Sequence, residues 1–364
     1  QGLTPAIREI IDQADEIWGS ERLLTHCSHH SSKLVTLSGH LTDTLQELLR
    51  RPADRRVVML ASGDPGFFGI AASILNILPI EEVLIYPQVS SLQTAFARIR
   101  VPWQDAVFTS AHSRPINEVI GYARRFPKIG ILTDPKQTPA WISTQLLSAG
   151  IPDCRVVVCE NLGEDNEKIT DTRLKELTTM IFSPLNVLLL LHDSGWKPIS
   201  VFEARFDSSY QHKSGLITKR DVRIMSIARL AICETDVIWD IGAGSGAMSI
   251  EMAETAWRGK VFSIEKDEEC LGCMRENVNR FGAVNVQIVK GEAPEVLSTL
   301  PRPTAVFIGG NGGKLLEILS YLEQVYHSEC RIVANFTLLE NLMLANEWMK
   351  AHKCNPEITE VQFT

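Results

Sequence analysis

Two glycine-rich turns constrain this chain more than any other feature. Gly63-Asp64-Pro65-Gly66-Phe67-Phe68-Gly69 follows the apolar run Val57-Val58-Met59-Leu60-Ala61, and Asp240-Ile241-Gly242-Ala243-Gly244-Ser245-Gly246 follows Val237-Ile238-Trp239. Each turn joins a strand-like run to a helix-like one. That places it at the carboxyl end of a strand in an α/β sheet, where the backbone passes close to a ligand and a side chain would obstruct it. Two such turns imply two small-molecule sites. At 364 residues the chain is too long for one ordinary core and suits two domains.

The periodicity predicts an α/β fold throughout. Strand-like runs near 56–62, 82–86, 105–109, 128–133, 154–159 and 185–191 alternate with helix-like runs near 4–15, 67–78, 91–99, 115–125 and 138–149. Parallel strands with crossover helices are the economical arrangement. Periodicity fails from His192 to Ser214, which predicts a domain 1–191, a linker 192–214 and a second domain 215–364. The second series predicts strands near 236–241, 260–264, 285–289, 304–308 and 330–335, with helices near 218–231, 245–256, 267–281 and 313–326. Both ends read as cut: a first strand is expected to be missing, and the alternation Ile358–Phe363 reads as a strand wanting a partner.

A net charge of -8 argues against a general nucleic-acid or membrane-surface binder. No run approaches the ~18 apolar residues of a membrane span, and the first residues lack a signal-peptide pattern, so a cytoplasmic protein is expected. The eight cysteines show no framework spacing and are expected to be reduced. Cys270-Leu271-Gly272-Cys273 is a lone pair, and His26, His29 and His30 sit in a serine-rich segment that reads as a solvated loop, so no metal is expected.

The second turn also fits a dinucleotide fingerprint through Gly242, Gly244 and Ala247. Two features favour S-adenosylmethionine instead. Asp240 would repel a pyrophosphate yet accept from an ammonium, and Gly246 lets the backbone close over a compact amino-acid tail. Glu265 ends the next strand, where a carboxylate can take ribose hydroxyls. Gly291-Glu292-Ala293-Pro294 follows another strand and could hold an adenine edge.

Longer runs carry a family resemblance. Gly215-Leu216-Ile217-Thr218-Lys219-Arg220-Asp221-Val222-Arg223, the turn at 240–246, Gly291-Glu292-Ala293-Pro294-Glu295 and Phe307-Ile308-Gly309-Gly310 resemble the decarboxylating precorrin carbon-15 methyltransferases of cobalamin synthesis. The resemblance implies a Rossmann-like class I methyltransferase fold. Thr218, Gly242, Ala243, Gly244, Ser245, Gly246, Glu265, Glu292 and Ala293 are then expected around S-adenosylmethionine, with the Thr-Lys-Arg segment beside a tetrapyrrole.

In the first half, Tyr86-Pro87-Gln88-Val89-Ser90-Ser91-Leu92-Gln93, Trp103-Gln104-Asp105-Ala106, Ser110-Ala111-His112-Ser113-Arg114-Pro115, Leu132-Thr133-Asp134, Glu160-Asn161-Leu162-Gly163 and Glu167-Lys168-Ile169 resemble the tetrapyrrole (class III) methylases, and within them the precorrin carbon-5 enzymes. That family folds as two α/β subdomains with the cofactor between them. It implies Gly63, Asp64 and Ser91 as cofactor contacts. Ser113 stands where the family pattern has glycine. The two resemblances in this order are similar to the bifunctional precorrin-6Y C5,15-methyltransferase family, and imply a homo-oligomer.

A substrate rich in carboxylates needs local cations on an acidic protein. Lys219 and Arg223, four apart, are the expected pair at the second site; Arg98, Arg100 and Arg114 are candidates at the first, and His112 is the candidate for substrate contact or proton movement. Three other readings stay open: a cobalt-containing substrate, a non-catalytic tetrapyrrole carrier and a dehydrogenase.

Overall fold

A computed structural model describes residues 4–37, 41–52, 54–112, 114–198, 204–325 and 330–362. Ser113, the end of the Ile358–Phe363 run and part of the expected linker lie outside them. The chain builds three sheets.

The first sheet is small and parallel, in the order β2-β1-β3, from β1 (Glu16–Gly19), β2 (Lys33–Thr36) and β3 (Val57–Met59). Its helices are α1 (Pro5–Asp12), α2 (Glu21–Leu24), α3 (Leu41–Arg50) and α4 (Ala71–Leu75). Strands β1 and β2 and helix α3 were not expected from the periodicity. The strand expected near 82–86 does not form: Leu84 is 79% exposed, and no neighbouring strand pairs with it. An apolar run supplies burial propensity but not the partner that makes it a strand.

The second sheet follows α5 (Ser91–Ile99) and comprises β4 (Val107–Ser110), β5 (Lys128–Leu132), β6 (Arg155–Glu160), β7 (Lys168–Arg173) and β8 (Asn186–Leu191), with α6 (Ile116–Ala123), α7 (Pro139–Ser148) and α8 (Leu174–Leu177) between them. Its order is β4-β5-β8-β6-β7. Here the all-parallel expectation fails: β8 runs antiparallel to β5 and β6, and β7 antiparallel to β6. The link from Glu160 to Lys168 is too short for a crossover, so the returning strand must pair antiparallel. Both faces are covered. Leu188 and Leu190 point toward Ile120, Ile142 and Leu146, while Val187, Leu189 and Leu191 point toward Leu92, Ala95 and Phe96. This two-sided burial explains the unbroken apolar sequence of β8.

The third sheet is wholly parallel, β11-β10-β9-β12-β13, from β9 (Val237–Ile241), β10 (Lys260–Glu265), β11 (Val286–Lys290), β12 (Ala305–Ile308) and β13 (Arg331–Ala334). Helices α9 (Arg220–Leu230), α10 (Ala247–Thr255), α11 (Glu268–Phe281), α12 (Leu315–Val325) and α13 (Leu339–Ala351) flank it. The order reverses between β9 and β12, which is where a doubly wound sheet opens a ligand crevice. Helix α13 was not foreseen, and no strand forms over residues 358–362.

Much of the expected linker is packed. Arg205 pairs with Glu254 at 2.6 Å, Tyr210 is buried and donates to Glu251, and Asn277 Oδ1 accepts the Gln211 amide at 2.9 Å. The second unit therefore begins before Gly215. The two halves also touch through α6. Asn117 donates to the Trp257 carbonyl at 3.3 Å, Arg125 to that of Glu254 at 2.5 Å, and the Tyr122 ring stands edge-on to Trp257 with centroids 4.9 Å apart. A Cβ on Gly121 would fall 2.2 Å from Trp257 Cε3, so only glycine admits the indole.

Candidate active sites

The second glycine turn leaves the sheet at its switch point. The amides of Gly242 and Ala243 donate to the Ile264 carbonyl, both at 3.0 Å, and those of Gly309 and Gly310 to the Ile241 carbonyl at 2.9 and 3.2 Å. Gly242 has φ +72°, and a Cβ there would lie 2.4 Å from the Gly310 oxygen. The turns after β9 and β12 are thus stacked backbone on backbone.

Glu265 closes one side. Its Oε2 accepts the Gly244 amide at 2.8 Å, and its Oε1 accepts those of Lys266 and Asp267 at 2.7 and 2.9 Å. The half-buried carboxylate is held in one orientation at the end of β10. Glu292, beyond β11, is bracketed by Lys266 at 2.5 Å and Lys314 at 3.1 Å, and these ammonium groups hold it below the usual carboxylate range. Ala293 is buried against the β10–β12 core. Thr218 lies on the strap before α9, whose Leu216 carbonyl passes 4.0 Å from where a Gly244 Cβ would be. Gly242–Gly246, Glu265, Glu292 and Ala293 are therefore brought to the carboxyl ends of the strands, with the strap above them.

Two expectations need correction. Asp240 does not face a ligand: it is fully buried, its Oδ2 accepts from Ser249 Oγ, and Ser263 Oγ donates to Ser249 Oγ at 2.6 Å. The strand's alternation turns this side chain toward α10. Burial, with Glu265 adding repulsion, pushes its carboxyl up to about 7 against the bond from Ser249. The folded chain then holds a proton that the unfolded chain releases, so stability is full at acid pH and declines as pH rises from about 4 to about 7. Asp240→Asn should flatten that decline and be more stable than the parent at pH 8 by on the order of 2 kcal/mol. Urea unfolding at pH 5 and pH 8 measures it; an identical slope in both proteins would contradict the assignment.

Arg223 is the second correction. Its spacing from Lys219 predicts a substrate cation, but it is 0% exposed, with Nε on Glu251 at 2.9 Å and Nη1 on Asp207 at 2.7 Å and on the Thr218 carbonyl at 2.6 Å. It anchors the strap from below. Lys219, at the helix N-cap, is 64% exposed and 3.8 Å from Asp207, and remains available at the rim.

At the first turn Asp64 accepts the Gly66 amide at 2.8 Å and the Gln88 amide at 3.0 Å, tying the turn to the segment that leads into α5. Ser90 caps that helix in a reciprocal box with Gln93, and a Cβ on Gly63 would sit 3.7 Å from the Ser91 amide nitrogen. Gly63, Asp64 and Ser91 thus converge. The Arg114 guanidinium lies over the Phe68 ring, 5.4 Å from its centroid, and joins the turn after β4 to the same wall. His112 is largely exposed, its Nδ1 4.0 Å from Asp134 Oδ2. Arg98 is committed elsewhere, gripping Glu167 at 2.5 and 3.1 Å, so its role is to hold the 163–167 turn rather than to meet substrate. Arg100 ends α5 in the left-handed conformation and is exposed.

Family comparisons fall on the same two halves. Tetrapyrrole (corrin/porphyrin) methylases match residues 1–178, and a precorrin methyltransferase domain matches residues 208–363. A precorrin-6Y C(5,15)-methyltransferase [decarboxylating] of Sinorhizobium sp is 31% identical over 92% of this chain and 81% of that protein. The chain belongs to the precorrin-6Y C(5,15)-methyltransferase family. A Mycobacterium tuberculosis (strain ATCC 25618 / H37Rv) relative of the same description is 28% identical over 85% of this chain and 77% of its own. Among solved structures, a precorrin-6Y C5,15-methyltransferase from Geobacter metallireducens GS-15 is 38% identical over 42% of this chain and 81% of that chain, with a TM-score of 0.41. This member of the precorrin-6Y C(5,15)-methyltransferase family is an S-adenosylmethionine-dependent, decarboxylating C-methyltransferase of cobalamin biosynthesis. Among the described residues no helix is long and apolar enough to cross a membrane.

Lys266 and Lys314, which bracket Glu292, and the Ser249–Ser263 pair beneath Asp240 were not found from sequence. Ser263 and Asp240 are register partners on adjacent strands. Nothing local in the sequence announces a contact across strands.

Proposed function

We propose that the two halves divide the reaction. The domain ending at β8 methylates carbon 5 of precorrin-6Y. The domain beginning near Arg205 methylates carbon 15 and removes carbon dioxide from the ring C acetate, so that the chain yields precorrin-8X. The observation that carries this reading is the Gly242–Gly246 turn at the switch point with the Glu265 carboxylate fixed on the Gly244 amide.

The turn fits S-adenosylmethionine better than a dinucleotide. The Glu265 carboxylate beside it opposes a diphosphate but suits ribose hydroxyls. When bound, the cofactor supplies an electrophilic methyl group. Glu265 would orient the ribose, the glycine turn would admit the amino-acid tail, and Ala293 with the Gly291 turn would face the adenine. Lys219 would meet substrate carboxylates at the rim, and Arg114 would do so at the first site beside His112. These residues perform positioning and water exclusion, since the nucleophile is an electron-rich ring carbon of the substrate itself. Glu265→Gln should raise the KM for S-adenosylmethionine in the carbon-15 step by roughly tenfold, the worth of one charge-assisted hydrogen-bonded contact; an unchanged KM would remove Glu265 from the site.

The deciding experiment is the mass of the tetrapyrrole after incubation with S-adenosylmethionine and metal-free precorrin-6Y. Two methyl gains and one loss of carbon dioxide are expected. Turnover confined to the cobalt-containing substrate would assign the chain to the anaerobic counterpart, and a single methyl gain would overturn the division of the reaction between the two halves. A cytoplasmic location is our reading of eight cysteines without a framework spacing. Self-association is the expectation for the first domain.

A further inference from the structure

The seam between the halves contains a charge with no role in either site. Arg124, just past α6, is half-buried, and its Nη2 donates to three backbone carbonyls: Ala149 at 2.7 Å, Gly282 at 3.1 Å and Phe281 at 3.2 Å. Ala149 ends α7 of the first half, while Phe281 and Gly282 end α11 of the second. Two helix C-termini, each with unpaired carbonyls and partial negative charge, would repel at this distance. They approach so closely that a Cβ on Gly282 would sit 3.0 Å from the Ala149 oxygen and 2.8 Å from Arg124 Nη2. One guanidinium satisfies both ends at once.

The other end of α11 lies at the second cofactor site. Its N-cap is Asp267, whose amide donates to Glu265 Oε1 and whose carboxylate accepts the Cys270 amide at 3.0 Å. Mid-helix, Asn277 donates to the Ser245 carbonyl of the glycine turn at 2.9 Å, and Met274 packs under Gly246. A 14-residue helix thus spans from the seam to the turn with contacts at both ends. Packed helices transmit such constraints because they shift as rigid units.

We infer that Arg124 of the carbon-5 domain is a positioning residue for the carbon-15 domain, seating α11 so that Asn277 and Asp267 hold the glycine turn and Glu265 in their binding arrangement. This rests on the assignment of the Gly242–Glu265 site to S-adenosylmethionine. The coupling is reciprocal: cofactor bound at the second site must in turn tighten the seam.

The test compares Arg124→Gln and Arg124→Lys in the full chain, reading the two methylations separately by product mass. Arg124→Gln should raise the KM for S-adenosylmethionine in the decarboxylating step about five- to tenfold while kcat stays within about twofold, a coupling of ordinary size. The carbon-5 step should keep its KM, and Arg124→Lys should regain most of the loss. An unchanged KM in a folded Arg124→Gln protein, or an equal rise in both steps, would overturn the proposal. A second measurement needs no change at Arg124. Hydrogen exchange at residues 121–126 should slow on adding S-adenosylhomocysteine to the parent and not to Gly242→Val; no slowing, or slowing in both proteins, refutes the link. Should Glu265→Gln itself leave the KM unchanged, the site assignment has failed rather than the link to Arg124.

Discussion

Gly242→Ala is expected to abolish carbon-15 methylation and decarboxylation, a loss of at least about a hundredfold in kcat/KM, while carbon-5 methylation persists. The size follows from geometry. At φ +72° any side chain carries a left-handed penalty of roughly 1–2 kcal/mol. The new Cβ also meets Gly310 at 2.4 Å from its oxygen and 2.6 Å from both its nitrogen and its Cα. These are backbone atoms, and they cannot retreat without breaking the bonds from the Gly309 and Gly310 amides to Ile241. The turn must move instead, and a displacement near 1 Å in a methyl-transfer site costs about two orders of magnitude. Gly244→Ala is the matched control. Its φ of +56° carries the same backbone penalty, but the nearest atom to its Cβ is 4.0 Å away. Comparable losses in both variants would show that backbone conformation, not the contact with Gly310, governs the site. A normal carbon-15 rate in Gly242→Ala would remove the turn from the site altogether.

Arg223→Met should lower the stability of the second domain by about 3–5 kcal/mol, because it removes one partner of a buried ion pair. Glu251 would be left buried without its guanidinium partner, keeping only neutral donors, the Tyr210 hydroxyl and the Arg205 backbone amide. Burial already pushes the Glu251 carboxyl up, and Arg223 is the charge that opposes this. For a unit of this size the loss is roughly 10 °C in Tm. Glu251→Gln in the same chain should recover part of it by removing the stranded charge. Lys219→Ala should leave Tm unchanged and raise the substrate KM several-fold. Calorimetry and steady-state kinetics on the three variants separate the roles. A normal Tm with a raised substrate KM in Arg223→Met would return that residue to the substrate.

Lys219 and Arg223 show what a sequence cannot display. Both are cations near the start of one helix, and spacing alone puts them on one face. Their fates diverge because Asp207 and Glu251, distant in sequence, converge on Arg223. The same holds for Arg98, indistinguishable from a free surface cation until Glu167 is seen beside it. By contrast, β9, β10 and β12 and the turn at 242–246 were legible, because buried parallel strands read as apolar runs and the turn needs its glycines locally. Strand β7 was not, since as an edge strand its residues are largely exposed and its sequence, Lys-Ile-Thr-Asp-Thr-Arg, carries no apolar signal. Helix α13 escaped for a related reason: Leu339, Met343 and Leu344 are exposed, so its apolar residues do not mark one buried face.

The fit of Trp257 into the space left by Gly121 bears on how such a protein can be rebuilt. A methylase half carrying any side chain at the position of Gly121 would strike the indole. The halves are therefore not interchangeable modules joined by a tether. A working hybrid must keep glycine at this position or exchange both faces of the joint together, because a single missing carbon atom makes room for the indole.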